Sequence, residues 1–442
     1  MTEELYTCPR CATAIAAAES FACTGCGARH PVLDGVPCLL HDALHARDRF
    51  ALRFDEVARD SAAQLVAIAD ELAGDRIPAA TAARLHAFAD GVRETSSAIA
   101  AIHQRAGLGA ARTSASVANA IPSVAGHAAL FDHYEYAFRD WGWGEAAAQE
   151  NALGLERVIA AIGPIRAAPR VLVLGAGAGR LAYDLHHRLA ASTTVALDIQ
   201  PLLLLVARSM ASGQEIPLAE FTANHLAAAH AVQRRTLRAP AAARAGLELA
   251  LADATRPPVQ QGAFDVVVTP WFLDQLACDV RDVLPGIHGA LADAGRWVFF
   301  GPLLHPRGKP LARCVSEAEL LEILPAAGFT HGSVRRDVLP YLCTPEGSAR
   351  SEAVLTFAAH KRTGPQWSLP AWLRGLALPI PRPAVPLHAS DPVAAAIAAL
   401  LDGQRSALAI AGLLARRGGL DGRVALDATI AGLHALARAG LQ

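Results

Sequence analysis

Four cysteines near the start of the sequence have the spacing of metal ligands. Cys8 and Cys11 are separated by two residues, as are Cys23 and Cys26, and eleven residues lie between the two pairs. Two such turns can place four thiolates around one ion, and four thiolates complete the tetrahedral shell of Zn²⁺. The spacing therefore predicts a structural zinc site in a zinc ribbon over residues 1–45.

A glycine-rich turn further along follows an apolar stretch and opens a helical pattern, in VLVLGAGAGRLAYDL over residues 171–185. Gly175, Gly177 and Gly179 permit positive φ and a close approach of the backbone to a ligand. The first N–H groups of the following helix favour anionic groups. Enzymes that bind NAD, FAD or S-adenosylmethionine all use such a turn, so it predicts a nucleotide-like cofactor without identifying it.

Two aspartates follow at positions that suit the same cofactor. Asp198 ends the second predicted strand, about twenty residues beyond the turn, where a carboxylate can accept hydrogen bonds from both ribose hydroxyls. Asp253 follows the third predicted strand and fits a contact to the adenine amine. For each aspartate the alternative is a solvated loop carboxylate.

The elements that must position these residues alternate between strand and helix over residues 131–362. Apolar segments predict five strands: RVLVLGA, TTVALDI, LELALAD, FDVVVTPW and RWVFFGPL. The alternation predicts a doubly wound, Rossmann-like α/β sheet. Ligands of such sheets bind in the crevice at the carboxyl ends of the strands, where the strand order reverses.

The flanking segments predict smaller units. Residues 46–130 are alanine-rich with helical spacing, and residues 363–389 are rich in proline and predict a linker. Residues 390–442 predict a winged-helix-like module with two amphipathic helices around a glycine-rich bend. This last segment resembles the small peptide-binding domain of pyrroloquinoline quinone biosynthesis. A peptide-docking module and a helical cap both remain open for it.

Composition excludes some classes of protein. The 442 residues contain 40 Lys and Arg against 41 Asp and Glu, for a formal net charge of −1. The absence of a basic excess disfavours nucleic acid as a partner. No apolar run approaches the roughly 20 residues needed to span a bilayer, and no apolar signal region follows Met1. We therefore expect a soluble cytoplasmic protein, in agreement with cysteines that cluster as metal ligands.

Four segments, in the right order, resemble the carnosine N-methyltransferase family of class I S-adenosylmethionine-dependent methyltransferases. They are the glycine turn, FRDWGWGEAAAQEN before it, IPLAEFTANHL after it, and FDVVVTPWFLDQLACDVRDVLPGIHGALADAGRWVFFGPLLHP. The resemblance covers about residues 130–362, roughly half of the chain. It implies a methyltransferase that uses S-adenosylmethionine. The cysteine-rich segment similarly resembles zinc ribbons attached to several bacterial methyltransferases.

The resemblance also implies roles for individual residues. Arg139 would pair with the methionine carboxylate of the cofactor, which the glycine turn and the two aspartates would also contact. Asp274 matches the family aspartate that holds the substrate imidazole. His305 matches a residue near the site of transfer, and Tyr341 matches a substrate tyrosine. The implied catalytic residues are therefore Asp274, His305 and Tyr341.

Chemistry supports the role of Asp274 separately. An imidazole nitrogen attacks a methyl group only when the ring is neutral, and a carboxylate that accepts the other ring N–H fixes the tautomer and raises the basicity. The alternative is that Asp274 caps a helix beginning near Gln275, since aspartate is a good N-cap. His305 has the alternative role of a turn histidine whose hydrogen bonds are satisfied within the protein.

The leading interpretation is an S-adenosylmethionine-dependent N-methyltransferase acting on a small molecule or peptide that contains a histidine or imidazole. Carnosine itself is not specified, because Tyr136 replaces a family glutamine and residues 348–357 lack a second substrate tyrosine. The alternatives are a methyltransferase of RNA or of a translation protein, and a non-catalytic binding protein with a methyltransferase core. The complete glycine turn and the retained acids favour an enzyme.

Overall fold

The computed structural model describes residues 5–15, 21–74, 76–108, 134–222, 230–362 and 392–438. Most of residues 1–363 form one compact unit and residues 364–442 form a second, and each is described by itself. The linker predicted over residues 363–389 lies outside the described residues, as does the end of the helical segment from residue 109 onward. Among the helices that the structure describes, none has the length and apolar character needed to cross a membrane.

The chain begins with three short antiparallel strand pairs. These are β1 (Tyr6–Thr7) with β2 (Ala14–Ile15), β3 (Phe21–Ala22) with β4 (Arg29–His30), and β5 (Val32–Leu33) with β6 (Val36–Leu39). One predicted cysteine pair lies in the connection of the first hairpin and the other in the connection of the second. Two hairpins that each carry a cysteine pair have the layout expected of a zinc ribbon.

Two long helices follow, as the alanine-rich pattern predicts. They are α1 (Ala43–Leu72) and α2 (Ala79–Arg105). Phe54 stacks on His103 with ring centroids 5.0 Å apart, and Ile68 packs with Leu85. The first part of α1 therefore packs against the end of α2, and the end of α1 packs against the start of α2. The two helices form an antiparallel hairpin.

The main α/β region starts with a short helix and alternates thereafter. Its first elements are α3 (Tyr134–Ala137), a π-helical turn (Phe138–Gly142), α4 (Glu145–Ile162), β7 (Arg170–Leu174), α5 (Arg180–Arg188), β8 (Thr193–Asp198) and α6 (Pro201–Ala211). An antiparallel hairpin then interrupts the alternation, with strands β9 (Ile216–Phe221) and β10 (Val232–Leu237).

The second half of this region completes the sheet. Its elements are β11 (Leu247–Ala252), β12 (Phe264–Pro270), α7 (Val280–Ala290), β13 (Leu291–Gly301), a 3₁₀ turn (Leu311–Arg313), α8 (Glu317–Ala326), β14 (Phe329–His331), β15 (Arg335–Tyr341) and β16 (Arg350–Lys361). The five strands predicted from the sequence are β7, β8, β11, β12 and β13, and all five are present.

One sheet of ten strands, counted over the described residues, organises the first unit. Its order is β14-β16-β13-β12-β7-β8-β11-β6-β5, with β15 paired to β16. Strands β13, β12, β7, β8, β11 and β6 are parallel to their neighbours in that order, whereas β16 is antiparallel to β13. The chain runs outward from β7 through β8 to β11 and then returns to the other side of β7. This confirms the predicted Rossmann-like sheet and places its switch point between β7 and β12.

The cysteine-rich segment is built into the edge of this sheet. Strand β6 pairs in parallel with β11, with Cys38 opposite Leu251. The backbone N–H of Thr7 also donates to the carbonyl of Pro258 at 2.9 Å, just beyond β11. The strand pair β5–β6 therefore extends the α/β sheet beyond β11.

The central strands are apolar along their whole length because both faces of a parallel sheet are covered. The side chains of β7 from Val171 to Leu174 are completely buried, as are Val266, Val267 and Val268 of β12. The strands can therefore hold the residues that follow them in fixed positions.

The second unit is helical in its described part. Its helices are α9 (Pro392–Ala398), α10 (Ala407–Gly418) and α11 (Gly422–Arg438). Ser406 caps α10 by accepting from the N–H of Ala409 at 3.2 Å, and Gly419 ends it with φ 61°. Residues 392–438 contain no strand. The two helices around a glycine bend are present as predicted, but this segment shows no β-wing.

Candidate active site

The glycine turn has the backbone that its sequence requires. Gly175, Gly177 and Gly179 have φ of 75°, 57° and 87°, a region that other residues adopt only at a cost. A Cβ at Gly175 would lie 2.7 Å from Cδ2 of Phe272, whereas a Cβ at Gly177 would meet no described atom within 4 Å. Gly175 is therefore required by packing, and Gly177 borders open space.

Asp198 is tied directly to this turn. Its Oδ2 accepts from the N–H of Gly177 at 2.7 Å, and its Oδ1 accepts from the N–H of Gln200 at 2.8 Å. The residue is 9% exposed. Asp198 therefore fixes the glycine turn at the carboxyl end of β8.

Arg139 lies in the π-helical turn, and its guanidinium is largely buried. Its Nε and Nη2 donate to Oδ1 of Asp140 at 2.8 and 2.7 Å, and its Nη1 donates to the hydroxyl of Tyr341 at 3.1 Å. Glu150 adds an ion pair at 3.8 Å. Burial alone would lower the pKa of Arg139, but Asp140, Tyr341 and Glu150 raise it above its usual range. The guanidinium therefore stays charged and oriented.

The π-helical turn is docked onto the glycine turn by its next two residues. The indole Nε1 of Trp141 donates to the carbonyl of Ala178 at 2.8 Å. Oδ2 of Asp140 accepts from the N–H of Arg180, the first residue of α5, at 3.3 Å. Asp140 and Trp141 follow Arg139 in the Arg-Asp-Trp segment, but the sequence pattern alone predicted no role for them.

The residues after β12 form the opposite wall of the switch point. Trp271 has a positive φ of 44° and stacks on Tyr341 with ring centroids 5.1 Å apart. The backbone N–H of Trp271 donates to the carbonyl of Phe300 at 2.8 Å. A Cβ at Gly301 would lie 2.9 Å from that backbone nitrogen. A strained non-glycine backbone at a strand end is typical of functional sites. Sequence analysis did not single out Trp271.

Asp274 lies three residues beyond Trp271 and is 1% exposed. Its Oδ2 accepts from Nε2 of Gln275 at 3.0 Å, whereas its buried Oδ1 has no hydrogen-bond partner in the described part of the chain. Burial raises the pKa of Asp274. The Gln275 side chain, the backbone N–H groups of Asp274 and Gln275, and the nearby His305 lower it and only partly oppose this effect.

The alternative role of Asp274 as a helix cap is wrong. No helix begins near Gln275, because residues 271–279 form turns and α7 begins at Val280. Its N-cap is Asp279, whose side chain accepts from the N–H of Arg281 at 2.9 Å. The burial of Asp274 therefore needs another explanation.

His305 and Tyr341 have different surroundings. Nε2 of His305 donates to the carbonyl of Val315 at 2.9 Å, and its Nδ1 accepts from Nζ of Lys309 at 3.2 Å. Both ring nitrogens thus have protein partners, as expected of a turn histidine. Tyr341 is 3% exposed, and burial raises the pKa of its hydroxyl. Its contact with Arg139 joins the predicted cofactor and substrate residues.

Asp253 lies at the exposed end of β11. Its Oδ1 accepts from the N–H of Thr255 at 2.9 Å and from the Thr255 hydroxyl at 2.6 Å. These bonds close a turn at the carboxyl end of the strand. The contact between Asp253 and adenine remains a prediction, as do the roles of the other site residues.

The four predicted metal ligands are brought together. The sulfur atoms of Cys8, Cys11, Cys23 and Cys26 all lie within 4.8 Å of one another. The second cysteine pair lies in a tight turn, where Gly27 has φ 70° and its N–H donates to the carbonyl of Cys23 at 2.9 Å. The structure thus provides four thiols in the arrangement that a tetrahedral ion needs.

Comparison with known proteins agrees with this geometry. Residues 132–337 match the family model described as carnosine N-methyltransferase. The matched range contains the glycine turn, Arg139, Asp198, Asp274 and His305, and it ends before Tyr341. No curated protein matches the chain.

Solved structures of methyltransferases are similar over about half of the chain. YcgJ from Bacillus subtilis is 14% identical, with 49% of this chain and 99% of that chain covered at a TM-score of 0.32. A SAM-dependent methyltransferase from Methanosarcina mazei is 14% identical, with 45% and 95% covered at 0.33. One from Mesorhizobium loti is 16% identical, with 49% and 99% covered at 0.32.

The fold, the glycine turn and the family match define an S-adenosylmethionine-dependent methyltransferase. More particularly, residues 132–337 match the model of the carnosine N-methyltransferase family over slightly less than half of the chain. This match does not define the methyl acceptor, which depends on the residues around Asp274.

Gly177 provides a direct test of the cofactor site, with Gly262 as a matched control. Both have positive φ, of 57° and 68°, and a Cβ at either would meet no described atom. Alanine at each position should therefore cost a similar ~1–2 kcal/mol of backbone strain. Only Gly177→Ala should also weaken the binding of S-adenosylhomocysteine, by about tenfold or more in calorimetry, since only Gly177 belongs to the turn that is predicted to contact the cofactor. Equal affinities of the two variants would contradict this placement.

Proposed function

We propose that this methyltransferase transfers a methyl group from S-adenosylmethionine to an imidazole nitrogen of a histidine-containing small molecule or peptide. The observation that carries the proposal is the buried Oδ1 of Asp274. A buried carboxylate oxygen without a partner is costly, so its retention at a strand end suits a ligand that donates a hydrogen bond. The second buried atom without a partner in this part of the described chain, Nε1 of Trp271, offers a donor to the same crevice.

Asp274 would orient the acceptor ring. When its Oδ1 accepts one ring N–H, the proton is held there and the lone pair of the other nitrogen stays free for attack. The cofactor, when bound, would supply a sulfonium methyl group, whose S–C bond would break as the new N–C bond forms and leave its electron pair on sulfur. Asp274 then stabilises the cationic methylated ring and can take its N–H proton.

The cofactor would be held by the residues around the glycine turn. The outer Nη1–Nη2 edge of Arg139 suits the methionine carboxylate, because the contacts with Asp140 and Tyr341 use three of its five N–H groups. Asp198 would accept from the ribose hydroxyls and Asp253 from the adenine amine. Positions at the carboxyl ends of β8 and β11 support both assignments.

Aromatic side chains support a flat, ring-containing acceptor. Trp271 stacks on Tyr341, and the guanidiniums of Arg139 and Arg350 lie 5.4 and 4.8 Å from the centre of the Tyr341 ring. Trp271 lies only three residues before Asp274, so this aromatic group would border the proposed acceptor site. His305 would act indirectly, by holding the segment after β13 in place through its bonds to Val315 and Lys309.

The acceptor is tested with labelled S-adenosylmethionine and a panel of histidine derivatives and peptides. We expect transfer to acceptors with an unsubstituted imidazole. Derivatives already methylated on a ring nitrogen should be poor acceptors, because they lack the N–H that Asp274 would accept. Transfer to RNA or to non-histidine side chains, with none to imidazole, would contradict the proposal.

Replacing Asp274 separates catalysis from stability. Asp274→Asn keeps the size but loses the negative charge, so turnover should fall by about 10²–10⁴-fold. Calorimetry should show unchanged affinity for S-adenosylhomocysteine, since Arg139 and Asp198 are intact. Gln275→Ala serves as the control, because it removes the neighbouring hydrogen bond and keeps the carboxylate. A fully active Asp274→Asn enzyme would remove the main support for an imidazole acceptor.

The raised pKa of Asp274 also predicts a pH-dependent stability difference. The folded protein holds this proton at a higher pH than the unfolded chain, whose aspartates titrate near pH 3.9. Stability from this group is therefore lost as pH rises above that value through the folded-state pKa. Asp274→Asn lacks this loss, so its melting temperature should exceed that of wild type increasingly as pH rises. A difference that does not vary with pH would show that Asp274 is not strained by ionisation.

We also propose that the four N-terminal cysteines bind one structural Zn²⁺. The donor set fits, since four thiolates leave no open position for a substrate. Tetrahedral Zn–S bonds of about 2.3 Å require sulfur atoms roughly 3.8 Å apart. The four sulfur atoms lie within 4.8 Å of one another, so small shifts would admit the ion. The ion would tie the two hairpins together beside the β6–β11 edge of the sheet.

Metal removal should therefore destabilise the protein. The paired substitutions Cys8→Ser and Cys23→Ser should abolish the bound zinc found by elemental analysis and lower the melting temperature by several degrees. Cys314→Ser, outside the cluster, is the control and should keep the metal. A wild-type protein that contains no zinc after purification without chelators would refute the site.

A further inference from the structure

Asp140 connects the two parts of the proposed cofactor site. Its Oδ1 accepts two hydrogen bonds from Arg139, at 2.8 and 2.7 Å, and its Oδ2 accepts from the N–H of Arg180 at 3.3 Å. Its own carbonyl accepts from Nη1 of Arg180 at 2.9 Å. The residue is 2% exposed. One buried carboxylate thus spans the gap between a guanidinium and the helix that follows the glycine turn.

We infer that Asp140 is a positioning residue for the cofactor, which holds the Arg139 guanidinium in register with the glycine turn so that its outer edge faces the methionine carboxylate. The inference rests on the proposed role of Arg139. An unrestrained arginine loses much rotamer freedom when it binds a ligand, whereas one already fixed by a carboxylate does not.

Charge alone would give Asp140 the opposite effect. A carboxylate beside Arg139 reduces the attraction of that guanidinium for an anionic ligand. Glu150 adds a second carboxyl 3.8 Å from Arg139, although burial raises its pKa. If electrostatic attraction controlled affinity, removing the charge of Asp140 would tighten cofactor binding. If orientation controls it, the same change weakens binding, so the sign of the effect distinguishes the two.

The hydrogen bonds favour orientation. Asp140 Oδ1 engages Nε and Nη2, which lie on one edge of the guanidinium, and Tyr341 engages Nη1. One N–H remains on each terminal nitrogen, which is the number that a two-point contact with a carboxylate requires. The indole N–H of Trp141, the residue after Asp140, donates to the carbonyl of Ala178 in the glycine turn. This bond fixes the π-helical turn to the glycine turn.

The test compares two ligands of the full-length protein in calorimetry. S-adenosylhomocysteine carries the amino-acid carboxylate, and 5′-methylthioadenosine lacks it. Asp140→Asn should weaken the binding of S-adenosylhomocysteine by about tenfold or more, whereas the affinity for 5′-methylthioadenosine should stay within about twofold of wild type. Asp184→Asn is the matched control. It removes the carboxylate that forms an ion pair with Nε of Arg180 at 2.8 Å, and it leaves the contacts of Arg139 in place. The ratio of the two affinities should therefore stay unchanged.

A third variant separates this inference from the proposed cofactor contact. Arg139→Ala should lower the affinity ratio, defined as the affinity for S-adenosylhomocysteine divided by that for 5′-methylthioadenosine. If it does not, the contact between Arg139 and the cofactor carboxylate is wrong. If Arg139→Ala lowers the ratio and Asp140→Asn does not, only the role of Asp140 is overturned. Equal losses for both ligands in Asp140→Asn, or tighter binding of S-adenosylhomocysteine, would also overturn it.

Folding is checked by the melting temperature of each variant. If Asp140→Asn does not fold, Asp140→Glu takes its place, because it keeps the charge and displaces the carboxylate. It should lower the affinity ratio in the same sense by a smaller factor. A folded Asp140→Glu protein with a wild-type ratio would then contradict the inference.

Discussion

The reversal of strand order between β7 and β12 is the constraint on which the site depends. Parallel strands on either side of this point deliver their carboxyl ends to one crevice. The glycine turn enters it from β7, and Trp271 and Asp274 enter it from β12. Phe272 lies so close to Gly175 that a Cβ there would clash with it. The cofactor turn and the proposed acceptor site are therefore packed against each other.

A second group of contacts closes the crevice from the side of the π-helical turn. Arg139 contacts Tyr341 of β15, while Asp140 and Trp141 contact the glycine turn and the start of α5. The proposed cofactor and acceptor residues thus share one network of hydrogen bonds and ring contacts. In such a network, a change at one group shifts the geometry of its neighbours, so single substitutions are best interpreted against matched controls.

The N-terminal hairpins have a structural connection to this enzyme that their cysteines alone do not reveal. Strand β6 pairs with β11, and Thr7 bonds to Pro258 beyond that strand. Asp253 lies between these two contacts in the chain. The proposed zinc site would therefore stabilise the edge of the sheet that carries the predicted adenine contact, although its ligands take no part in the chemistry.

The sequence by itself determined the features that depend on local patterns. Continuous apolar runs identified the five parallel strands, glycine spacing identified the turn, and cysteine spacing identified the thiol cluster, because each pattern reflects the needs of adjacent residues. Tertiary structure decided what depends on distant partners. The burial of Asp274 and the contacts of Asp140 with Arg180 arise only when segments far apart in the chain pack together.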